Sequence, residues 1–231
     1  MSEISVLRRE IKYVVAETEA AEIKRELAAV MSPDAHSPSG SYRVRSLYFD
    51  TLNNRDYFAK LAGIESRSKL RLRVYSASDE TAKLEIKRKW GEYQRKDTLT
   101  LTRRDAERLI RGEYVCLLDY AGALPAELYA RLTLGVYRPA AMIEYRRTAF
   151  TYPAFNTRLT IDSNIRSDEA CTDLFSDEVP HCPVLTDRSV LEVKFNGRLV
   201  SPIRFVLNRH HLTGESMGKY AAGRPLLSQY V

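Results

Sequence analysis

The chain has 231 residues, of which 44% are hydrophobic and 29% are charged, and its formal net charge is +6. This composition excludes a largely disordered chain and supplies enough apolar side chains for a packed core. The excess of positive charge favours an anionic partner, but net charge alone does not separate a nucleotide, polyphosphate, nucleic acid or acidic membrane.

Residues 1–13 lack the apolar region of a signal peptide, and no stretch reaches the roughly 18 apolar residues of a membrane span. The three cysteines, Cys116, Cys171 and Cys182, show no CxxC spacing and are odd in number. We therefore expect a cytoplasmic protein with reduced thiols. A chain of this length fits one domain, over residues 1–231.

The first half of the chain is predicted to contain one helix followed by strands. Apolar residues recur on one face of residues 18–31, which predicts a helix capped by Thr18. Residues 32–41, rich in proline, serine and glycine, are predicted as a loop. Enrichment in β-formers or strict alternation then predicts strands at 42–51, 70–75, 83–89 and 97–101.

The second half begins with two predicted helices, one starting at the capping-box sequence of Thr102 and one at 125–132 with proline at its start. Strands are predicted at 141–150, 157–162 and 190–195, and a helix at 202–212. Residues 163–187 are predicted to be mostly irregular. Many short strands with few helices indicate an α+β fold dominated by an antiparallel sheet or barrel.

Four of the predicted strands carry charged residues on one face and apolar residues on the other, since alternate side chains of a strand point to opposite faces. In 69–75, Lys69, Arg71 and Arg73 oppose Leu70 and Leu72. The same alternation occurs in 83–89, 158–162 and 190–195. It is typical of an ordinary sheet with one solvated face. These faces, however, concentrate basic residues around isolated glutamates, which favours a barrel with the charged faces turned inward.

The candidate inward-facing residues comprise eight cations and three anions. The cations are Lys12, Arg71, Arg73, Lys87, Arg147, Arg158, Lys194 and Lys219, and the anions are Glu10, Glu85 and Glu192. Such an excess requires a highly charged ligand, because burying uncompensated charge is very costly. Arginine forks and lysine ammonium groups suit phosphate, and glutamates suit a hard divalent cation that bridges phosphates.

Eight segments in order resemble the VTC domain, the polyphosphate polymerase branch of the triphosphate tunnel metalloenzymes in the CYTH-like superfamily. They are RREIKY (8–13), YRVRSLYFDT (42–51), RSKLRLRVY (67–75), KLEIKRK (83–89), IEYRRTAF (143–150), TRLTID (157–162), VLEVKF (190–195) and GKY (218–220). Arg8 stands where the wider superfamily has the first glutamate of E-x-E-x-K, which also resembles the VTC branch.

The resemblance implies an antiparallel eight-stranded β-barrel, the triphosphate tunnel, with helices packed outside. It also implies transfer of the ATP γ-phosphate to a growing polyphosphate chain, dependent on a divalent metal, Mn²⁺ or Mg²⁺. The eight cations above would bind phosphates, with Glu192 as principal metal ligand and Glu10 and Glu85 as further ligands. Tyr145, Lys89, Lys96 and Ser216 are further substrate-binding candidates. The chain reads S-M-G-K-Y where the family usually has S-K-Y, which weakens the case for Ser216.

Two other functions fit the same residues. An inorganic triphosphatase or polyphosphate hydrolase would use water in place of an acceptor phosphate. A noncatalytic module would bind polyphosphate or nucleic acid tightly without metal-dependent turnover, with affinity that falls as salt rises. We expect ATP and polyphosphate or triphosphate as partners and no nucleic acid, and relatives in membrane complexes suggest a membrane-protein partner.

Overall fold

The computed structural model describes residues 8–35, 40–91, 93–177 and 182–224. These divide into two compact units. Unit 1 contains the described residues within 1–43, 145–165 and 185–218, and unit 2 those within 44–144, 166–184 and 219–231. The single domain expected over residues 1–231 stays a prediction.

The described chain contains ten strands and six α-helices. The strands are β1 (Arg8–Ala16), β2 (Ser32–Pro33), β3 (Tyr42–Thr51), β4 (Arg67–Val74), β5 (Thr81–Trp90), β6 (Tyr93–Thr102), β7 (Tyr137–Tyr152), β8 (Thr157–Asp168), β9 (Cys182–Pro183) and β10 (Arg188–Asn196). The helices are α1 (Glu17–Ala28), α2 (Arg55–Leu61), α3 (Arg103–Ile110), α4 (Ala123–Leu134), α5 (Ser201–Arg209) and α6 (Lys219–Ala222). None of these helices is long and apolar enough to cross a membrane.

The sheet has the strand order β1-β10-β8-β7-β3-β4-β5-β6, with the short β2 beside β7 and β9 beside β8. Pairing is antiparallel in β1·β10, β10·β8, β3·β4, β4·β5 and β5·β6. The predicted α+β class, an antiparallel sheet of eight principal strands with helices on the outside, is confirmed.

In unit 1, the apolar face of β1, β8 and β10 packs against α1 and α5. The strands contribute Val15, Leu159, Ile161, Leu191 and Val193, and the helices contribute Ile23, Leu27, Ile203, Val206 and Leu207. Because side chains alternate along a strand, this packing leaves the even-numbered positions of β1, β8 and β10 on the opposite face. Those positions carry Glu10, Lys12, Arg158, Glu192 and Lys194.

In unit 2, the apolar face of β3–β6 packs against α3, α4 and the 3₁₀ turn Tyr114–Asp119. The core includes Leu47, Leu70, Leu72, Leu84, Ile86, Leu101, Leu109, Leu117, Leu128 and Leu132. Thr102 caps α3 as predicted, since its side chain accepts a hydrogen bond from the Asp105 N–H. The charged positions of β4 and β5 again lie opposite the apolar core.

Several local predictions differ from the structure. Ser32 and Pro33, in the predicted loop 32–41, form β2, and the helix predicted at 202–212 ends at Arg209. Thr18 does not cap α1, which begins at Glu17 after Ala16, because β1 runs directly into the helix. Strand β8 continues to Asp168, since alternate burial persists beyond 162. Helices α2 and α6 are missing from the sequence prediction because they are too short to show a clear 3.6-residue period.

Candidate active site

The charged face of unit 1 is ordered by the register of three strands. Glu10 of β1 lies opposite Lys194 of β10, which lies opposite Arg158 of β8. In the next row, Lys12 lies opposite Glu192. Directly opposed residues of antiparallel strands are within reach of each other, so the backbone itself brings these five side chains together.

The two glutamates of this face share a lysine. Lys194 Nζ lies 2.8 Å from Glu192 Oε1 and 3.8 Å from Glu10 Oε2, and Lys12 Nζ lies 3.1 Å from Glu10 Oε1. Glu192 is buried, whereas both lysines are partly exposed. The lysines therefore neutralise the carboxylates while keeping access to solvent.

Arg147 of β7 is held by a carboxylate that the sequence-based charge count omitted. Its Nε and Nη2 donate to Asp162 Oδ1 and Oδ2 at 2.6 and 2.8 Å, and its guanidinium lies over the Tyr145 ring at 5.2 Å. Burial opposes the charge, but the fully buried Asp162 raises the pKa of Arg147 well above its ordinary value. Arg147 is therefore a fixed, permanent cation.

Arg158 also has partners that sequence reasoning missed. Its Nη2 lies 3.0 Å from Asp34 Oδ2 and donates to the Tyr42 hydroxyl at 3.4 Å. Its Nε and the Oγ1 of the neighbouring Thr160 are buried and have no hydrogen-bond partner among the described residues. Buried polar groups normally have a partner, so these two atoms leave hydrogen-bonding capacity for a ligand.

The charged face of unit 2 is much more basic. Across β4, β5 and β6 it carries eight cations, with Glu85 as the one carboxylate among its described positions. The cations are Arg67, Lys69, Arg71, Arg73, Lys83, Lys87, Lys89 and Lys96. Lys69, Lys87 and Lys96 lie opposite one another in a single row. Like charges placed directly opposite each other destabilise a sheet, so this row favours an external polyanion.

Glu85 lies at the centre of these cations. Its Oε2 is 2.7 Å from Arg71 Nη2 and 3.6 Å from Arg73 Nη1, and its Oε1 accepts from Lys96 Nζ at 2.9 Å. Burial opposes ionisation, but the surrounding cations hold the pKa of Glu85 far below its ordinary value. Both carboxylate oxygens are therefore engaged by basic side chains, and the geometry favours Glu85 as an organiser of cations.

Tyr48 of β3 belongs to the same face and was missed in the sequence. Its hydroxyl accepts from Arg71 Nη1 at 2.9 Å, and its ring stacks on Tyr220 at 4.9 Å. Burial opposes ionisation, but Arg71, Arg73 and Lys69 lower the pKa of Tyr48 to about 8. The Tyr48 hydroxyl can therefore lose its proton at a pH near 8.

The remaining candidates are Lys89, Lys219 and Ser216. In unit 2, Lys219 opens α6, which is anchored because the Tyr220 hydroxyl donates to Asp50 Oδ2 at 2.7 Å. Lys89 lies opposite Arg67 on the charged face. In unit 1, Ser216 is exposed and follows Glu215, whose N–H donates to the Lys12 carbonyl at 2.8 Å.

Within the described ranges, no three His, Cys, Asp or Glu side chains form a metal-binding group by themselves. The Glu10–Glu192 pair nevertheless fits a hard divalent cation, because Mg²⁺ is usually held by one or two carboxylates together with substrate phosphates. Glu85 fits less well, since two arginines, Arg71 and Arg73, contact its Oε2 in addition to the lysine contact of its Oε1.

The lowered pKa of Tyr48 gives a spectroscopic prediction. We expect a phenolic proton to be released near pH 8, below the ordinary tyrosine value of about 10, and Tyr48→Phe to lack this step. The folded state then binds fewer protons than the unfolded state, so Tyr48 adds stability as pH rises from about 8 to 10. Phenolate absorbance and urea unfolding against pH measure both effects. Identical curves for the two proteins would contradict the assignment.

Removing the charge of Glu85 should destabilise unit 2. Glu85→Gln removes the carboxylate that Arg71 and Arg73 share, and we expect a loss of about 2–3 kcal/mol in urea unfolding at neutral pH. The difference should shrink as pH falls below the unfolded glutamate pKa, since the stabilisation from a lowered pKa is lost gradually between the unfolded and the folded pKa. Glu127→Gln, which removes an exposed partner of Arg88, is the control. Equal losses in both variants would refute the organising role.

Comparisons with known proteins agree with this architecture. The VTC domain family model matches residues 7–228. The chain is similar in structure to a "putative adenylate cyclase" of Bacillus halodurans, with TM-score 0.53, 13% identity, and coverage of 92% of this chain and 93% of that one. A Pyrococcus horikoshii protein gives TM-score 0.48 at 13% identity, covering 92% and 96%. No curated protein sequence matches. Because the family model spans nearly the whole chain, the protein belongs to the VTC domain family.

Proposed function

We propose that this protein is a metal-dependent polyphosphate polymerase that transfers the ATP γ-phosphate to a growing polyphosphate chain. The observation that carries the proposal is the charged face of β4–β6, whose described positions hold eight cations and one carboxylate, Glu85. A surplus of positive charge of this size suits a polymeric ligand in which each short repeating unit carries a negative charge. Membership of the VTC family supports an enzyme that acts on triphosphates.

Each type of basic side chain has its own part in binding. Arg71 and Arg73 are oriented by Glu85 and present planar forks that match phosphate oxygens. Lys69, Lys87 and Lys96 act as compact point charges, and their mutual repulsion falls when phosphates lie between them. In unit 1, Arg147 and Arg158 supply further guanidinium groups, with Tyr145 beside Arg147.

Glu192 and Glu10 would hold the divalent cation, Mn²⁺ or Mg²⁺. When bound, the cation would neutralise charge on the transferring phosphate and on the ADP that leaves. Lys12 and Lys194, which contact these glutamates, place positive charge at the same point of the face. Together with phosphate oxygens, two carboxylates suffice for a hard cation of this kind.

The transfer needs no covalent intermediate on the protein. An oxygen of the terminal phosphate of the acceptor chain attacks the γ-phosphorus, the bond to the β-phosphate oxygen breaks, and ADP leaves. Catalysis then depends on aligning donor and acceptor and on stabilising the charge of the equatorial oxygens. Arg147 suits this role because Asp162 fixes its orientation through two hydrogen bonds.

The test is incubation of the purified protein with ATP and Mn²⁺, with the products separated by length on a gel. We expect a ladder of long polyphosphate and stoichiometric ADP. Glu192→Gln should lower the rate by about 100-fold or more, because it removes a carboxylate from the cation. Glu22→Gln, an exposed change on α1, should leave the rate unchanged.

Two outcomes would overturn the proposal. Release of phosphate and pyrophosphate from short chains, without any polyphosphate ladder, would instead identify a hydrolase that uses water as the acceptor. Tight binding of polyphosphate with no loss of ATP at any Mn²⁺ or Mg²⁺ concentration would identify a noncatalytic binder. Full activity of Glu192→Gln would remove Glu192 from the reaction while leaving the polymerase activity in place.

A further inference from the structure

Unit 1 contains a cleft of about 460 Å³ on the other side of its sheet from the charged face. It lies where β1 begins, β10 ends and α5 begins. Its lining includes Arg9, Arg198, Arg204, Phe155, Phe195 and Leu199. Arg9 alternates with Glu10 along β1, and Phe195 packs in the core beneath α1 and α5, so the cleft is separate from the glutamate pair.

The three arginines of the cleft are exposed. None of Arg9, Arg198 and Arg204 has a carboxylate partner in the part of the chain that the structure describes. Other surface arginines do have such partners, for example Arg103 with Glu107 and Arg111 with Glu113. Three guanidinium groups around one cavity repel each other unless an anion is present.

The start of α5 adds further positive character to the cleft. Val200 provides no side-chain cap for this nine-residue helix, and Pro202 has no N–H. The N–H groups of Ser201 and Ile203 therefore lack the usual capping partner at the positive end of the helix dipole. Such a terminus strengthens an anion site that the arginines already define.

The cleft also has an apolar wall. The Arg198 guanidinium lies over the Phe155 ring at 5.2 Å, and Phe195, Leu199 and Val200 complete this side. Phe155 has φ 56°, a left-handed conformation that costs free energy for a residue with a bulky side chain. The ring is held at the cleft despite this cost. A purely inorganic anion would make no use of this wall.

We propose that this cleft binds a small phosphorylated molecule with an aromatic group, of the nucleoside phosphate class. The arginines and the first N–H groups of α5 bind the phosphates, and Phe155 with Leu199 packs against the base. The volume lies within the range of about 300–1,000 Å³ that is typical of small-molecule sites. The site is additional to the charged faces and does not depend on the polymerase assignment.

Hydrogen–deuterium exchange of the metal-free protein tests the proposal, with ADP and inorganic tripolyphosphate as separate probes in the presence of chelator. We expect ADP to slow exchange in residues 197–204. In the double variant Arg198→Glu, Arg204→Glu the ADP concentration needed for half protection should rise by about tenfold or more, because two charge-assisted contacts are replaced by repulsion. The matched control is Arg188→Glu, an exposed arginine of the same unit that has no carboxylate partner among the described residues.

The possible results test separately whether the site exists and whether it prefers a nucleoside phosphate. Protection by ADP in the wild type and the control, lost in the double variant, supports it. Equal or stronger protection by tripolyphosphate would overturn the nucleoside part, since the apolar wall would then contribute nothing. Absence of protection by both probes, or equal protection in the double variant, would overturn the site altogether. Because this readout is independent of turnover, it is unaffected by whether the protein makes polyphosphate.

Discussion

Repulsion between basic side chains on one face of the sheet is the constraint on which the rest of the structure depends. Alternation along β4, β5 and β6 puts leucine and isoleucine into the core and leaves lysine and arginine opposite each other. The core cannot form without presenting these cations together. The stability of the face and its capacity to bind anions therefore have the same origin.

The two units moderate this repulsion with few carboxylates. In unit 2, Glu85 contacts Arg71, Arg73 and Lys96, and Lys69, Lys87 and Lys96 lie opposite one another in one row. In unit 1, Asp162 binds Arg147, and Lys194 neutralises Glu192. The carboxylates fix the directions of the basic groups, and on the face of β4–β6 the cations outnumber the described carboxylate. This arrangement suits a chain of phosphates, because the phosphates supply negative charges that the protein face itself carries in small number.

Much of this organisation was predictable because strand alternation is a local property. It predicted the positions of most strands, though not β1, β2 and β9, and the charged sides of β4, β5, β8 and β10, while the resemblance supplied the expected roles of their residues. The partners of Arg158 were not predictable, because Asp34 and Tyr42 reach it from distant parts of the chain. Tyr48 was missed because both faces of β3 are buried from Val44 onward, so β3 shows no polar alternation. The three-arginine cleft depends on a turn, a strand end and a helix start, which no local pattern joins.

The most direct test of the account is calorimetric titration of tripolyphosphate into metal-free protein at several salt concentrations. The Arg198→Glu, Arg204→Glu background removes any contribution of the cleft. Binding should weaken steeply with salt, as expected when several basic groups neutralise phosphates, and replacing both Lys69 and Lys87 by glutamine should reduce that slope. Absence of binding at low salt, or binding that is insensitive to salt, would contradict the claim that the charged faces of the sheet bind a phosphate chain.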